Sequence, residues 1–152
     1  MEIQTIGNEP PVGICGSGLL DVVPQLCENH IVDRSGKMGE YPLIQSQNGI
    51  PEFILAERNG LDPVTISQKD VRELQLAKAA IRLGIQALVD EVGLQESDIQ
   101  KVIIAGAFGT FIDVKSAITI GMLPDLHLER FTQVGNAAGT GARLALISKT
   151  ER

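Results

Sequence analysis

The stretch Lys101-Val-Ile-Ile-Ala-Gly-Ala-Phe-Gly109 restricts most what this chain can fold into. Its continuous apolar run, with no polar alternation, suits a parallel strand covered on both faces. Gly106 and Gly109 follow at once and let backbone approach a flat ligand closely. A helix start stands just beyond, at Asp113. A strand running into a glycine turn and then a helix is where a nucleotide base is expected. Two other clusters add weight: Gly13-Ile-Cys-Gly-Ser-Gly18 ahead of one helix, and Gly135-Asn-Ala-Ala-Gly-Thr-Gly141 opening another.

The remaining pattern supplies the elements around that turn. Leu19, Leu20, Val22, Val23 and Leu26 have helical spacing over residues 16 to 29, with Pro24 expected to interrupt or kink the helix. From Asp33 to Gly60 the chain is rich in Gly, Ser, Asn and Pro, an irregular excursion over about residues 33 to 66. Phe53 to Glu57 and Val64 to Ser67 read as short strands that Arg58-Asn-Gly-Leu-Asp62 can join as a hairpin. Ser67-Gln-Lys-Asp70 resembles a capping box. The long helix it starts carries one apolar row from Val71 through Leu74, Ala77, Ile81, Ile85 and Leu88 to Val92, and a second through Leu76, Ala80, Leu83 and Ala87. With two apolar faces it is expected to be largely buried and to stop at Gly93. After the strand at 101 to 105 come a helix from Asp113 to about Ile120, a strand from Phe131 to Val134, and a helix from Asn136 to about Ser148. Strands alternating with helices imply an α/β fold with a mainly parallel sheet, whose ligands bind at the carboxyl ends of the strands.

Charge and cysteine usage narrow the partners. The 152 residues suit one domain, and a formal charge of -6 opposes a nucleic-acid or anionic-membrane partner. No apolar run approaches the roughly 20 residues of a membrane span, and the N-terminus has no signal-like region, so the chain reads as cytoplasmic. Cys15 and Cys27 are spaced as neither a metal site nor a disulfide framework. A thiol at residue 15 would have a depressed pKa if it met the amides of the following helix. His30 and His127 stand alone at presumed element ends, and no metal-binding or catalytic set emerges.

Several motifs are excluded by spelling. Residues 13 to 19 lack the Lys-Ser/Thr of a phosphate-binding P-loop, Leu19-Leu20-Asp21 breaks the Rossmann fingerprint, and Cys15 and Leu19 stand where a nucleophile elbow needs glycine. Gly16, Ser17 and Gly18 can still present donors to a phosphate or carboxylate at a helix start, or form a tight turn that serves packing alone. Gln75 and Lys78 lie three apart on the long helix. They can meet a ribose or adenine edge, or Lys78 can snorkel to solvent over its packed stem. Gly139 and Gly141 weaken the last helix, which points to close approach to the sheet or a ligand, packing being the simpler reason.

Ile14-Cys-Gly-Ser-Gly-Leu-Leu-Asp21, Gln75-Leu-Ala-Lys-Ala-Ala-Ile81, Ile104-Ala-Gly-Ala-Phe-Gly109 with Ile112-Asp113, Ile120-Gly-Met-Leu-Pro124 and Val134-Gly-Asn-Ala-Ala138 together resemble the C-terminal region of the reductive activators of corrinoid proteins. The resemblance spans nearly the whole chain in the family's order. It implies a ribonuclease H-like ATPase lobe of the superfamily shared by acetate and sugar kinases, heat-shock chaperones and actin. Adenosine would then fall on Gly106, Ala107, Phe108 and Gly109, with Gln75 and Lys78 offered by the preceding helix; chaperones carry Glu at the position of Gln75. Neither an aspartate-glycine phosphate hairpin nor a cysteine-rich ferredoxin domain is spelled here, which implies an incomplete fragment. ATP and magnesium would serve the full-length protein, an iron-sulfur cluster would lie upstream, and the partner would be a corrinoid protein. A homodimer stays open. Half of a small-molecule kinase, or a catalytically silent interaction domain, are the other readings.

Overall fold

The computed structural model describes residues 3–150, and its backbone divides into two compact units, Met1–Lys78 and Ala79–Arg152. In the first unit, helix α1 (Gly16–Glu28) runs through Pro24 without a break. An interior proline removes the hydrogen bond to the carbonyl four residues back, a cost of about 3 kcal/mol. Burial of Pro24 together with Leu20, Val22, Val23 and Leu26 offsets it. The helix ends in a Schellman motif: the His30 amide donates to Cys27 O at 3.1 Å and the Ile31 amide to Leu26 O at 2.9 Å. His30 takes the left-handed position there, with φ +58°.

The excursion is more regular than its composition suggests. It folds into an antiparallel sheet of β1 (Ile44–Gln47), β2 (Ile50–Arg58) and β3 (Leu61–Ser67) in the order β1-β2-β3. Both hairpins turn on Asn-Gly pairs. Asn48 and Gly49 both have positive φ, as a type I′ turn requires, and Gly60 alone does so in the second. The β2–β3 hairpin follows the sequence expectation, whereas β1, with its polar Gln45-Ser46-Gln47, has no strand-like pattern to announce it. The β2–β3 register shifts twice, and Pro63, which lacks an amide proton, lies within the second irregular stretch. Phe53, Val64 and Ile66 turn into the core of this unit, Ile66 with no exposed surface.

Helix α2 (Gln68–Glu91) begins in the expected capping box. The Ser67 amide and hydroxyl donate to Asp70 Oδ2 at 2.8 and 2.7 Å, and the Asp70 amide donates back to Ser67 Oγ at 3.2 Å. Its end is a second Schellman motif on Gly93, φ +68°. The expectation that α2 is largely buried does not hold. Val71, Leu74 and Val89 are buried, but Leu76, Ile81, Leu83, Leu88 and Val92 are exposed, Leu83 by 71%. Periodicity reports that a face is apolar, not that it is covered, and among the described residues these side chains stay exposed.

The second unit holds a parallel pair, β4 (Val102–Ala105) and β5 (Phe131–Gly135), with α3 (Val114–Thr119) between them in sequence and α4 (Ala137–Ile147) after. Asp113 caps α3 by accepting from the Ser116 amide at 3.0 Å, and Gly121, φ +75°, ends it. The parallel component of the fold is therefore β4–β5, and the other three strands are antiparallel. One expectation of cover again fails on one side, because Ile103 on β4 is 60% exposed.

One buried polar side chain ties the first unit together. Gln68, 7% exposed, accepts from the Met38 amide at 2.8 Å and donates to Gly36 O at 2.6 Å. Gln68→Met keeps the shape but strands both main-chain groups, so it should destabilise the protein by about 2–4 kcal/mol. Urea unfolding monitored by circular dichroism measures this, and a loss under about 0.5 kcal/mol would mean that water replaces both bonds.

Candidate functional site

Parallel pairing of β4 with β5 puts two glycine turns side by side. The register runs Val102↔Phe131, Ile103↔Thr132, Ile104↔Gln133 and then Ala105↔Gly135. Immediately past the strand ends, the Gly106 amide donates to Gly135 O at 2.6 Å. Gly106 has φ +108° and Gly135 φ +63°, conformations that side-chain-bearing residues rarely adopt. Around the position a Gly106 Cβ would take there is no atom within 4 Å, so the backbone faces open space. Gly109 differs. A Cβ there would come within 2.7 Å of Ile104 Cγ2, so this glycine lets the turn close down on β4. Between them, Ala107 leads into a 3-10 turn, Phe108–Phe111, in which both phenylalanines are exposed.

Gln133 clasps this turn. Its Nε2 donates to Gly109 O at 2.6 Å and to Ile112 O at 2.8 Å. Nothing in the sequence marks this residue, since a glutamine in a short strand reads as a solvent-facing position. Gly139 and Gly141 do not press α4 onto the sheet. Asn136 caps α4 by accepting from the Gly139 amide at 3.0 Å, and a Cβ at Gly139 would meet that cap's Nδ2 at 2.6 Å, while Gly141 has open space.

Gln75 and Lys78 close the first unit and the glycine turns belong to the second, so each group is placed within its own unit. Gln75 Nε2 donates to Ser35 O at 3.0 Å and fills the space beside Gly36, φ +83°. Its amide thus holds the loop from Asp33 to Lys37. That loop is also ordered from within: Asp33 Oδ1 accepts from Ser35 Oγ at 2.6 Å, Ser35 N at 2.8 Å and Lys37 N at 3.0 Å.

At the start of α1, Cys15 is the N-cap. Its Sγ accepts from the Gly18 amide at 3.4 Å and shares a hydrogen bond with Ser17 Oγ at 3.2 Å. Of the group Gly16, Ser17 and Gly18, the last is thus already engaged by the thiol. The Ser17 hydroxyl, and then the Gly18 amide, hold the Cys15 thiol below its ordinary value, in line with the sequence expectation. Burial pushes the Cys27 thiol up against a smaller opposing pull from the Lys78 ammonium. Among the described residues, no three His, Cys, Asp or Glu side chains gather as a metal site, and no helix is long and apolar enough to cross a membrane.

These two strand-end turns lie at the carboxyl edge of a parallel pair, the edge at which α/β domains bind ligands. Over residues 1–152 the chain matches the family described as the C-terminal domain of RACo, the ASKHA domain. It is 38% identical over 161 residues to the corrinoid activation enzyme RamQ of Eubacterium limosum, covering 97% of this chain and 27% of that protein. It is 24% identical over 149 residues to the [Co(II) methylated amine-specific corrinoid protein] reductase of Methanosarcina barkeri, covering 98% of this chain and 25% of that protein. The solved structure of a reductive activator for corrinoid, iron-sulfur protein superposes with a TM-score of 0.89 at 42% identity, over 97% of this chain and 24% of that one. The chain belongs to the family of C-terminal ASKHA domains of corrinoid reductive activators, and it spans about a quarter of the length of these relatives.

The Asp33 carboxyl lies below its ordinary value, first because the Ser35 hydroxyl bonds its charged form and next because the Lys37 amide does. A folded value below the unfolded one stabilises the fold above the unfolded value of about 3.9 and loses that contribution as pH falls through the folded value. Ser35→Ala should move the Asp33 titration back towards the ordinary range, as read by NMR of its carboxyl carbon. An unmoved titration would assign the ordering to the amides alone.

Proposed function

We propose that this chain is the C-terminal portion of a cytoplasmic, ATP-dependent activator that drives low-potential electron transfer to a corrinoid protein, returning Co(II) to Co(I), and that it supplies the adenosine side of the ATP cleft. The observation that carries this is the pair of turns joined by the Gly106–Gly135 hydrogen bond, with open space over Gly106. Gly106, Ala107, Phe108 and Gly109 would receive the nucleoside; within the first unit, Gln75, Lys78, Gly16 and Ser17 stay candidate nucleotide-binding groups, whereas the Gly18 amide is already held by the Cys15 thiol. One Gln75 Nε2 proton is spent on Ser35 O, so Gln75 would act partly through the loop it holds. The named relatives are activators and reductases of corrinoid proteins, which favours this reading over half of a kinase or a silent module.

The chain's own groups bind and orient; they do not transfer a phosphoryl group. Phosphoryl transfer depends on metal ions and charged residues that clamp the γ-phosphate. No aspartate-glycine phosphate hairpin is spelled in this chain, and two cysteines do not make the four thiolates of an iron-sulfur cluster. Magnesium and the cluster are therefore assigned to the rest of the full-length activator. Binding and hydrolysis of ATP would act by biasing a conformational equilibrium in the complex with the corrinoid protein.

Two outcomes test this. The isolated chain, with magnesium ATP, should show no turnover above buffer; hydrolysis at the rate of an intact ATPase in independent preparations would sink the proposal. In the full-length protein, Gly106→Val should weaken ATP binding about tenfold or more, or ~1.4 kcal/mol. Its folding should suffer by roughly 1–3 kcal/mol of backbone strain, because φ +108° is a conformation that residues other than glycine rarely adopt. Calorimetric affinity unchanged in a folded variant would move the adenosine site elsewhere.

A further inference from the structure

Gln133 stands where β5 departs from regular pairing. It faces Ile104 in the register, and the next paired residues are Ala105 and Gly135, so Val134 has no partner in the register. Such a bulge re-aims the side chains around it. Here the Gln133 amide reaches main-chain carbonyls 24 and 21 residues away in sequence, Gly109 O and Ile112 O. These carbonyls lie near the end of a 3-10 turn, where intrahelical partners run out. The amide orientation follows from chemistry, because the reverse would set Oε1 against two carbonyl oxygens.

From this geometry we propose that Gln133 is a positioning residue for nucleotide recognition, fixing the Gly106–Gly109 turn in the shape that receives the adenosine. The proposal rests on the adenosine reading above. Both Nε2 protons are spent on the turn, so Gln133 offers that nitrogen to no base and works through the backbone it holds. The turn is then secured at two points. Gly106 is tied by its amide to Gly135 O, and Gly109 and Ile112 are tied by their carbonyls to Gln133. Without the clasp the 3-10 turn keeps its sequence but not its single conformation, and ordering it would be charged against binding.

The test uses the full-length protein, ATP, and two substitutions. Gln133→Met has similar length and no donor, and Gly106→Val reports on the site itself. Gln133→Met is expected to weaken calorimetric ATP affinity about tenfold and to raise KM for ATP with kcat within about twofold, since the lost interactions are made before the chemical step. A structural role alone would lower the unfolding midpoint without moving KM at temperatures where the variant is fully folded. If Gly106→Val loses affinity while Gln133→Met keeps it, the positioning role is overturned and the site stands. If neither loses affinity, the site reading falls and takes this one with it. Should Gln133→Met fail to fold, Gln133→Ser, which admits water to both carbonyls, is read by the same measurements and the same criteria.

Discussion

The arrangement of the second unit depends on one pairing, the parallel register of β4 with β5. Parallel strands need a crossover, and the chain between Ala105 and Phe131 supplies it with the 3-10 turn at Phe108–Phe111 and with α3. Because both strands run the same way, both carboxyl ends lie at one edge. The Gly106 amide, beyond the last ladder position of β4, can then reach Gly135 O at 2.6 Å. An antiparallel pairing of the same strands would have sent the two glycine turns to opposite ends, and the same residues would have built no common surface.

In the first unit, the corresponding constraint is the N-terminal half of α2. Its capping box fixes where the helix begins, and that in turn fixes which residues project towards the loop from Asp33 to Lys37. Gln68 and Gln75 are seven apart, two helical turns, so both face the same way. Gln68 takes Gly36 O and the Met38 amide, and Gln75 takes Ser35 O. A loop rich in polar residues is thereby held by side-chain hydrogen bonds, without apolar side chains of its own to bury. Gly36 admits the Gln75 amide so closely that any larger residue would displace it.

Local signals were the legible part of the sequence. Ser67 with Asp70, Asp113 before α3, Asn136 before α4, and Gly93 after α2 all act within four or five residues, and each is found where its spacing places it. The β2–β3 hairpin was legible for the same reason, through Asn59-Gly60. Two kinds of feature were not. Pro24 was expected to disturb α1, but helix continuity there depends on what the helix buries, a tertiary fact. The burial of α2 and the double cover of β4 were expected from apolar pattern. Pattern states that Leu83 and Ile103 are apolar without stating whether this stretch of chain provides their cover.

The glycines of the strand-end motif occupy one place in the fold but are not equal contributors to it. Gly106 and Gly109 are both conformationally or sterically required, yet one faces empty space and the other faces Ile104 Cγ2. Only the first leaves room for a ligand; the second exists so that the turn can fold back on its own strand. The group that holds the turn in this state, Gln133, lies outside the motif and belongs to a strand 24 residues on from Gly109. Glycine motifs mark where backbone must come close, and the side chain that keeps it there is chosen by topology. Here parallel pairing brings Gln133 opposite Ile104, and a one-residue bulge leaves its amide within reach of the carbonyls it holds.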